Sequence, residues 1–334
     1  YYRSQYLKAA VNDPAFEQAL DASIDYDIIN HGGFEIAFSN IDELAIGGVS
    51  RWCIPPSVGA KIYERVKRKM ADAIVYVDLV GHARGNTYLF EQYYLQNHAS
   101  MPKDPPYEML SEEARKCNIP LLGFYQAYNG FPVYEFKNGS YSYKQYDFET
   151  LKSLWYENTK RVAVGYKGSG NVFGINAYGD FREYPLLSGI TVDALREGLG
   201  TDVPIWLYFD GNGYAKPANM RVEEYVKNVK CQMYTSIIHG ATGIFFWNDP
   251  NKTSAVFDAL QPVLRELTEN IGIIKLRTVE RKSYDDLHLM IKEDEKGKKY
   301  VVASNTSKTD VQSLSDAGVK KKSLLPLEVY IASF

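Results

Sequence analysis

The alternation of short apolar runs with helical stretches is the feature that most limits how this chain can fold. Runs such as 73–80 (AIVYVDLV) and 204–209 (PIWLYF) are rich in β-branched and aromatic residues. Continuous apolar strands of this kind are typical of parallel sheets that are covered by helices on both faces. We count eight such runs, at 34–38, 48–54, 73–80, 119–128, 162–167, 171–178, 204–209 and 241–247.

Eight β/α units favour an α/β fold of the closed (β/α)8 type, a TIM barrel, over an open doubly wound sheet. The open sheet is the alternative, but no G-x-G-x-x-G motif follows an early strand. We predict the barrel over residues 1–274. A small antiparallel, β-sandwich-like domain is predicted over 275–334, because apolar and polar residues alternate there with period two. The alternating segments are 287–293, 298–306 and 326–334.

Composition argues against several classes of function. The formal net charge of −3 provides no strong field for nucleic acid or an anionic membrane. No apolar run reaches the roughly 20 residues of a membrane span. Cys53, Cys117 and Cys231 show no metal-binding spacing, so we expect neither a metal nor a cofactor. The sequence has no feature that indicates an oligomeric state.

Tyrosine is abundant, with 27 residues. Each tyrosine joins a flat apolar ring to a hydroxyl group, and this combination suits the C–H faces and polar edges of sugars. The same rings serve equally well to fill the layers between helices and strands. Three N-x-[ST] sequons begin at Asn138, Asn251 and Asn305.

In a barrel, functional groups gather at the carboxyl ends of the strands. Glycoside hydrolysis needs two carboxyl groups, roughly 5 to 9.5 Å apart depending on stereochemistry. Asp210 follows the run IWLYF and is the first catalytic candidate, with Asp78 and Asp180 beside it. Two structural roles compete: Asp210 begins the turn DGNG, and Asp78, inside an apolar strand, can form an ion pair with an arginine. The predicted substrate-binding residues are Arg51, Trp52, Tyr128, Asn129, Asn176, Tyr178, Tyr214 and Trp247.

Around these residues the chain resembles bacterial barrel glycosidases of the large retaining clan, the β-galactosidase- and cellulase-like group. Tyr234–Trp247 is similar to the family pattern Y-x-x-I-x-H-G-A-x-G-I-x-F-W, and residues 171–185 (NVFGINAYGDFREYP) resemble the sixth strand of such barrels. The likeness covers roughly residues 119–334. It implies a glycoside hydrolase that acts on an oligo- or polysaccharide and, by analogy with such relatives, is secreted or periplasmic.

The chain departs from this family pattern at the acid/base position. Many relatives carry a glutamate after the fourth strand, whereas the matching text here is GFYQAYNG, which places Asn129 there. An amide cannot donate and recover a proton as a carboxylic acid does. Either Glu135, Asp78 or Asp180 supplies the acid, or the protein binds glycan without hydrolysing it. A barrel enzyme of another chemistry, such as a lyase or a metal-dependent hydrolase, is the third alternative.

Overall fold

A computed structural model of the chain gives its fold. It describes residues 14–15, 18, 21–22, 25–26, 37–41, 64–71, 74–80, 121–126, 134–137, 140–143, 147–168, 172–178, 184–200, 203–213, 216–247, 254–314 and 319–334. Up to residue 178, strands are described by their backbone alone, as is Trp247. Two compact units result: Tyr1–Lys144, Asn158–Ala177 and Gly198–Val203 in the first, and Gln145–Glu157, Tyr178–Glu197 and Pro204–Phe334 in the second.

The first unit contains parallel strands in the order expected for β/α units. Strand β1 (Ala37–Ile41) pairs in parallel with β2 (Ile74–Val80), and β2 pairs in parallel with β3 (Leu121–Gln126). Strand β6 (Val172–Tyr178) lies next to β3. The strands predicted at 73–80, 119–128 and 171–178 are therefore confirmed, and the first strand begins three residues later than predicted.

The strand predicted at 162–167 is wrong, because these residues lie in helix α1 (Phe148–Gly168). Trp155, Thr159 and Ala163 are all buried, and their spacing of four residues places them on one face of a helix. The apolar run therefore continues the buried stripe of the helix. The strand predicted at 48–54 lies outside the described residues, so the closed barrel of eight strands stays a prediction.

The first unit also contains a hairpin that the sequence analysis did not predict. Strand β4 (Tyr134–Lys137) pairs antiparallel with β5 (Ser140–Tyr143). The dipeptide Asn138–Gly139 separates the two strands, and Asn-Gly is a strong hairpin signal. Glu135, one of the alternative acids, lies on β4 and pairs with Ser142.

The second unit continues with helices and parallel strands. Its elements are α2 (Leu186–Leu199), β7 (Ile205–Asp210), α3 (Val222–His239), β8 (Gly243–Trp247), α4 (Ala255–Glu269) and α5 (Ile271–Ile274). Helix α3 ends at His239 because Gly240 adopts a left-handed conformation, with φ 110°, and donates its N–H to the carbonyls of Ser236 and Ile237. The strands predicted at 204–209 and 241–247 are confirmed.

An antiparallel sheet follows, as predicted from the period-two pattern. Its strands are β9 (Arg277–Tyr284), β10 (Leu287–Glu293), β11 (Lys299–Asn305) and β14 (Val329–Ser333), in the order β14-β11-β10-β9. A short hairpin, β12 (Gln312–Ser313) and β13 (Ser323–Leu324), completes this region. Strand β9 was not predicted because its charged sequence RTVERKSY carries no apolar alternation. The domain boundary at 274/275 stays a prediction.

Each face of this sheet has its own hydrophobic cluster. On one face, Met290 and Val302 pack with Tyr234, Ile237 and Ile238 of α3. On the other face, the packed residues are Leu287, Leu289, Ile291, Val301, Ala303, Leu314 and Leu324. The alternation of side chains along each strand directs successive residues to the two clusters. Helix α3 therefore shares a core with the antiparallel sheet.

Gly243 provides a test of the close packing between β7 and β8. It pairs in register with Trp206, and a Cβ atom at Gly243 would lie 2.6 Å from Cδ1 of that indole ring. We expect Gly243→Ala to lower the free energy of unfolding by about 1–3 kcal/mol, because the ring must leave its place. Denaturant unfolding measures the effect. The matched control is Gly272→Ala in α5, where nothing lies within 4 Å of the added Cβ. Equal stability of the two variants would contradict this packing.

Candidate functional site

The candidate site lies at the carboxyl ends of β7 and β8, in the second unit. Asp210 is the last residue of β7 and Trp247 is the last residue of β8. The two strands are parallel, and Asp210 pairs in register with Trp247. Two of the residues predicted from the sequence, Asp210 and Trp247, are thus paired by their backbones at the same edge.

The Asp210 carboxylate accepts hydrogen bonds at both oxygens. Oδ1 accepts the backbone N–H groups of Asn212 (2.9 Å) and Gly213 (2.8 Å). Oδ2 accepts the hydroxyl of Tyr225 at 3.0 Å, a buried residue in the first turn of α3. The turn-forming role that competed with catalysis is therefore real. These three donors hold the carboxylate in one orientation at the end of β7.

The loop after Asp210 is anchored on the N-terminus of α4. Ser254 caps α4 by accepting the N–H of Phe257 at 3.3 Å. Its hydroxyl also lies 3.1 Å from the carbonyl oxygen of Asn212. Gly213 has φ 79°, a left-handed conformation that glycine adopts without steric cost. The carboxylate is therefore positioned by backbone and cap contacts on both sides.

One face of the β7–β8 pair is aromatic and leads to Asp210. Trp206, Tyr208 and Asp210 alternate with the buried residues of β7 and are themselves half-buried. Phe245 of β8 stacks on Tyr208 with ring centroids 5.2 Å apart and contacts Trp206 at 5.3 Å. The sequence analysis missed this row and also missed Tyr225. The period-two spacing of residues 206, 208 and 210 is the signal that predicts the shared face.

The structure leaves the other predicted site residues without described side-chain contacts. Asp78 lies on β2, two residues before its end, whereas Asn176 and Tyr178 lie at the end of β6, and only the backbone is described for all three. The candidates outside the described residues are Arg51, Trp52, Tyr128, Asn129, Asp180 and Tyr214.

Within the ranges given above, no group of three or more His, Cys, Asp or Glu side chains is arranged to hold a metal ion. In that same part of the chain, every helix is too short or too polar to cross a bilayer.

Comparison with known proteins assigns the chain to no family. No protein-family model matches it, and no curated protein matches it. Solved structures similar to the chain include AmyP in complex with maltose, which is 12% identical over 94% of this chain and 89% of that chain, with a TM-score of 0.40. An α-amylase from Geobacillus thermoleovorans complexed with acarbose is 12% identical over 97% and 94%, with a TM-score of 0.39. A sugar phosphate isomerase/epimerase from Parabacteroides distasonis is 10% identical over 78% and 95%, with a TM-score of 0.34. TM-scores this low carry no argument about fold or function.

Proposed function

We propose that this protein acts on carbohydrate, as a glycoside hydrolase of an oligo- or polysaccharide that uses Asp210 as one of two carboxylates. The supporting observation is the register pair Asp210–Trp247 at the end of parallel strands β7 and β8. An aspartate and a tryptophan paired at one strand edge are the residue types that supply a carboxyl group for glycoside hydrolysis and a ring that suits a sugar face. The proposal includes the closed barrel over 1–274 and a secreted or periplasmic location.

Asp210 takes the role of nucleophile or general base in this proposal. Its carboxylate is held in one orientation by the backbone of the turn and by Tyr225, and a carboxylate so placed can attack an anomeric carbon or activate water. The proton donor must then be a second carboxylic acid. Asp78 and Asp180 are the proposed donors, since Asn129 occupies the position of the family's acid and an amide cannot fill that role.

A second candidate function is glycan binding without hydrolysis. The observation that favours it is that both Asp210 oxygens are already engaged inside the protein, by the turn at residues 212–213 and by Tyr225. An aspartate with these contacts is also what a purely structural turn would contain. The aromatic row beside it would then contribute to a binding face alone.

The test is a screen on polysaccharides and aryl glycosides, run in parallel with Asp210→Asn. The amide has nearly the same shape, so it keeps the turn but cannot act as nucleophile or base. We expect kcat/KM to fall at least about 100-fold, which corresponds to about 2.7 kcal/mol of transition-state stabilisation. Binding of the same glycan, measured by calorimetry, should persist.

Two controls separate chemistry from structure. Tyr225→Phe removes one donor to Asp210 and should lower kcat/KM much less, whereas Asp258→Asn removes an exposed acid in the first turn of α4 and should leave activity unchanged. Full activity in Asp210→Asn would exclude Asp210 from the mechanism. Glycan binding with no turnover by the unmodified protein would support the second candidate. Activity lost to a chelator would support a metal-dependent chemistry instead.

A further inference from the structure

Three polar side chains that take no part in the candidate site lie in a row that ends on an exposed serine. Oδ2 of Asp193 on α2 lies 2.8 Å from Nδ1 of His239, the last residue of α3. On the other side of this imidazole ring, Nε2 lies 3.4 Å from Oγ of Ser283 on β9. All three residues belong to the second unit. A carboxylate, an imidazole and a hydroxyl in this order are the groups that activate a serine nucleophile.

The exposure of the three groups suits this chemistry. The His239 side chain is 7% exposed and the Asp193 side chain is 51% exposed, while Ser283 is an exposed residue. Gly189, in the interior of α2, faces the His239 ring, and a Cβ atom there would lie 2.9 Å from its Cδ2 and Nε2 atoms. The imidazole is therefore held by close packing, whereas the serine can be reached from solvent.

The contact with Asp193 determines which nitrogen of a neutral His239 ring carries the proton. An ionised carboxylate only accepts hydrogen bonds, so Nδ1 must be the donor. The lone pair then lies on Nε2, the atom that faces Ser283. The separation of 3.4 Å exceeds the usual range of about 2.6–3.2 Å for a nucleophile and its base, and such pairs often tighten only when substrate binds. His239 can therefore accept the hydroxyl proton.

His288 on β10 contacts both atoms of the serine–histidine pair. Its Nδ1 atom lies 2.9 Å from Nε2 of His239 and 3.2 Å from Oγ of Ser283. Burial first and the charge of His239 second lower the pKa of His288 to about 3, so this ring adds no charge beside the serine at neutral pH. Because Nδ1 of His288 can donate to the lone pair that the hydroxyl needs, the two compete for it. We therefore expect slow turnover, which makes covalent labelling the more sensitive readout.

Arg281 places a positive charge on the same face of β9 as Ser283. The two residues are two positions apart, so their side chains point to the same side of the strand. Nε of Arg281 donates to the carbonyl of Ile238 at 2.8 Å, next to His239 in α3. The oxygen of an ester carbonyl becomes negative as a serine attacks the carbon, and a guanidinium on this face can stabilise that charge.

We propose that Ser283, His239 and Asp193 form an acyl-transfer site that hydrolyses carboxylic esters. Oγ of Ser283 attacks the carbonyl carbon and passes its proton to Nε2 of His239, while Asp193 positions the ring. The bond from that carbon to the alcohol oxygen breaks, and the leaving oxygen takes the proton. Water then attacks the acyl-serine and gives a proton to Nε2, and Oγ takes this proton as the carboxylic acid is released. The reaction does not involve Asp210.

A fluorophosphonate tests whether Ser283 is nucleophilic. In the full chain at about neutral pH, Oγ should displace fluoride from diisopropyl fluorophosphate, and mass spectrometry of the peptides should locate the adduct on Ser283. Ser283→Ala should remove this adduct, and His239→Gln should slow its formation at least about tenfold. The matched control is Ser333→Ala on β14, another exposed strand serine, which should leave the labelling of Ser283 unchanged. An unlabelled Ser283, or undiminished labelling in His239→Gln, would overturn the proposal.

Turnover of p-nitrophenyl acetate is the second readout, measured above the rate given by the unfolded chain. Ser283→Ala should lower kcat/KM at least about 100-fold. Asp193→Asn should lower kcat roughly tenfold or more and leave KM unchanged, because the charge that holds the His239 ring is lost, and Asp193→Glu should restore part of kcat. Glu197→Gln is the control, because Glu197 is an exposed acid on the same helix that bonds to Tyr156. Equal turnover by Ser283→Ala and the unmodified protein would contradict the proposal.

Discussion

Replacing Asn305 with aspartate is expected to lower the free energy of unfolding by about 3–5 kcal/mol at neutral pH, because it leaves an uncompensated charge in the interior. Asn305 is 0% exposed. Its Nδ2 atom donates toward the carbonyl oxygens of Asp310 (2.7 Å), Leu324 (3.2 Å) and Leu325 (3.1 Å). A carboxylate oxygen at that position would face three carbonyl oxygens with no proton to share.

Urea unfolding at neutral and at acidic pH measures this effect. Asn305→Asp should recover part of its stability as the pH falls, because the protonated acid can again donate one hydrogen bond. Asn305→Ala is the comparison: it leaves the carbonyls without their donor but adds no charge, so we expect a loss of about 1–3 kcal/mol. A smaller loss for Asn305→Asp than for Asn305→Ala at neutral pH would contradict this account.

The same contacts bear on the sequon that begins at Asn305. An N-linked glycan must attach to the side-chain amide nitrogen, and here that nitrogen is buried among three carbonyl oxygens. The folded chain therefore cannot accept a glycan at this position. The sequons at Asn138 and Asn251 lie outside the described residues.

Truncating Tyr234 to alanine is expected to cost about 3–5 kcal/mol of folding free energy, the usual range for deleting a large buried aromatic ring. Tyr234 is 0% exposed and belongs to the cluster that joins α3 to the sheet, with Met290 and Val302. Its hydroxyl donates to Oε1 of Glu266 on α4 at 3.3 Å. Burial, with a further contribution from Glu266, raises the pKa of this hydroxyl, so it keeps its proton and remains a donor.

Tyr234→Phe separates ring packing from the hydrogen bond. It retains the ring and removes only the hydroxyl, so the loss should be about 1 kcal/mol. Denaturant unfolding of both variants gives the two values, and hydrogen exchange of the amides in β10 and β11 reports whether the sheet is loosened. If alanine and phenylalanine cost the same, the stabilising contribution would come from the hydroxyl, and the shared core of α3 and the sheet would be weaker than its packing indicates.

Prediction from the sequence succeeded where a pattern was compatible with only one type of secondary structure. Strand β10 spans Leu287–Glu293, the same residues as the predicted alternating segment. The strand predicted at 204–209 is present as β7 (Ile205–Asp210). Prediction failed at 162–167 because a short apolar run without a breaker fits a strand or the end of a helix equally well. In the structure these residues are helical and extend the buried face of α1.

At the candidate site the sequence placed Asp210 and Trp247 at strand ends, and their residue types indicated carbohydrate chemistry. Strand register then put them side by side, which composition cannot show. The hydrogen bond from the Tyr225 hydroxyl to Oδ2 of Asp210 also could not be predicted from the sequence, because Tyr225 follows 15 residues later and no local rule links the two.

What the sequence by itself determined is local: the periodicity of strands and helices, the residues that end them, and the polar residues that follow each strand. These depend on near neighbours along the chain, where residue type and spacing act directly. Only the tertiary structure decided which of these groups meet. The Asp193–His239–His288 contacts join residues 46 and 49 positions apart, because burial of apolar faces brings α2, α3 and β10 together, and no local pattern encodes that geometry.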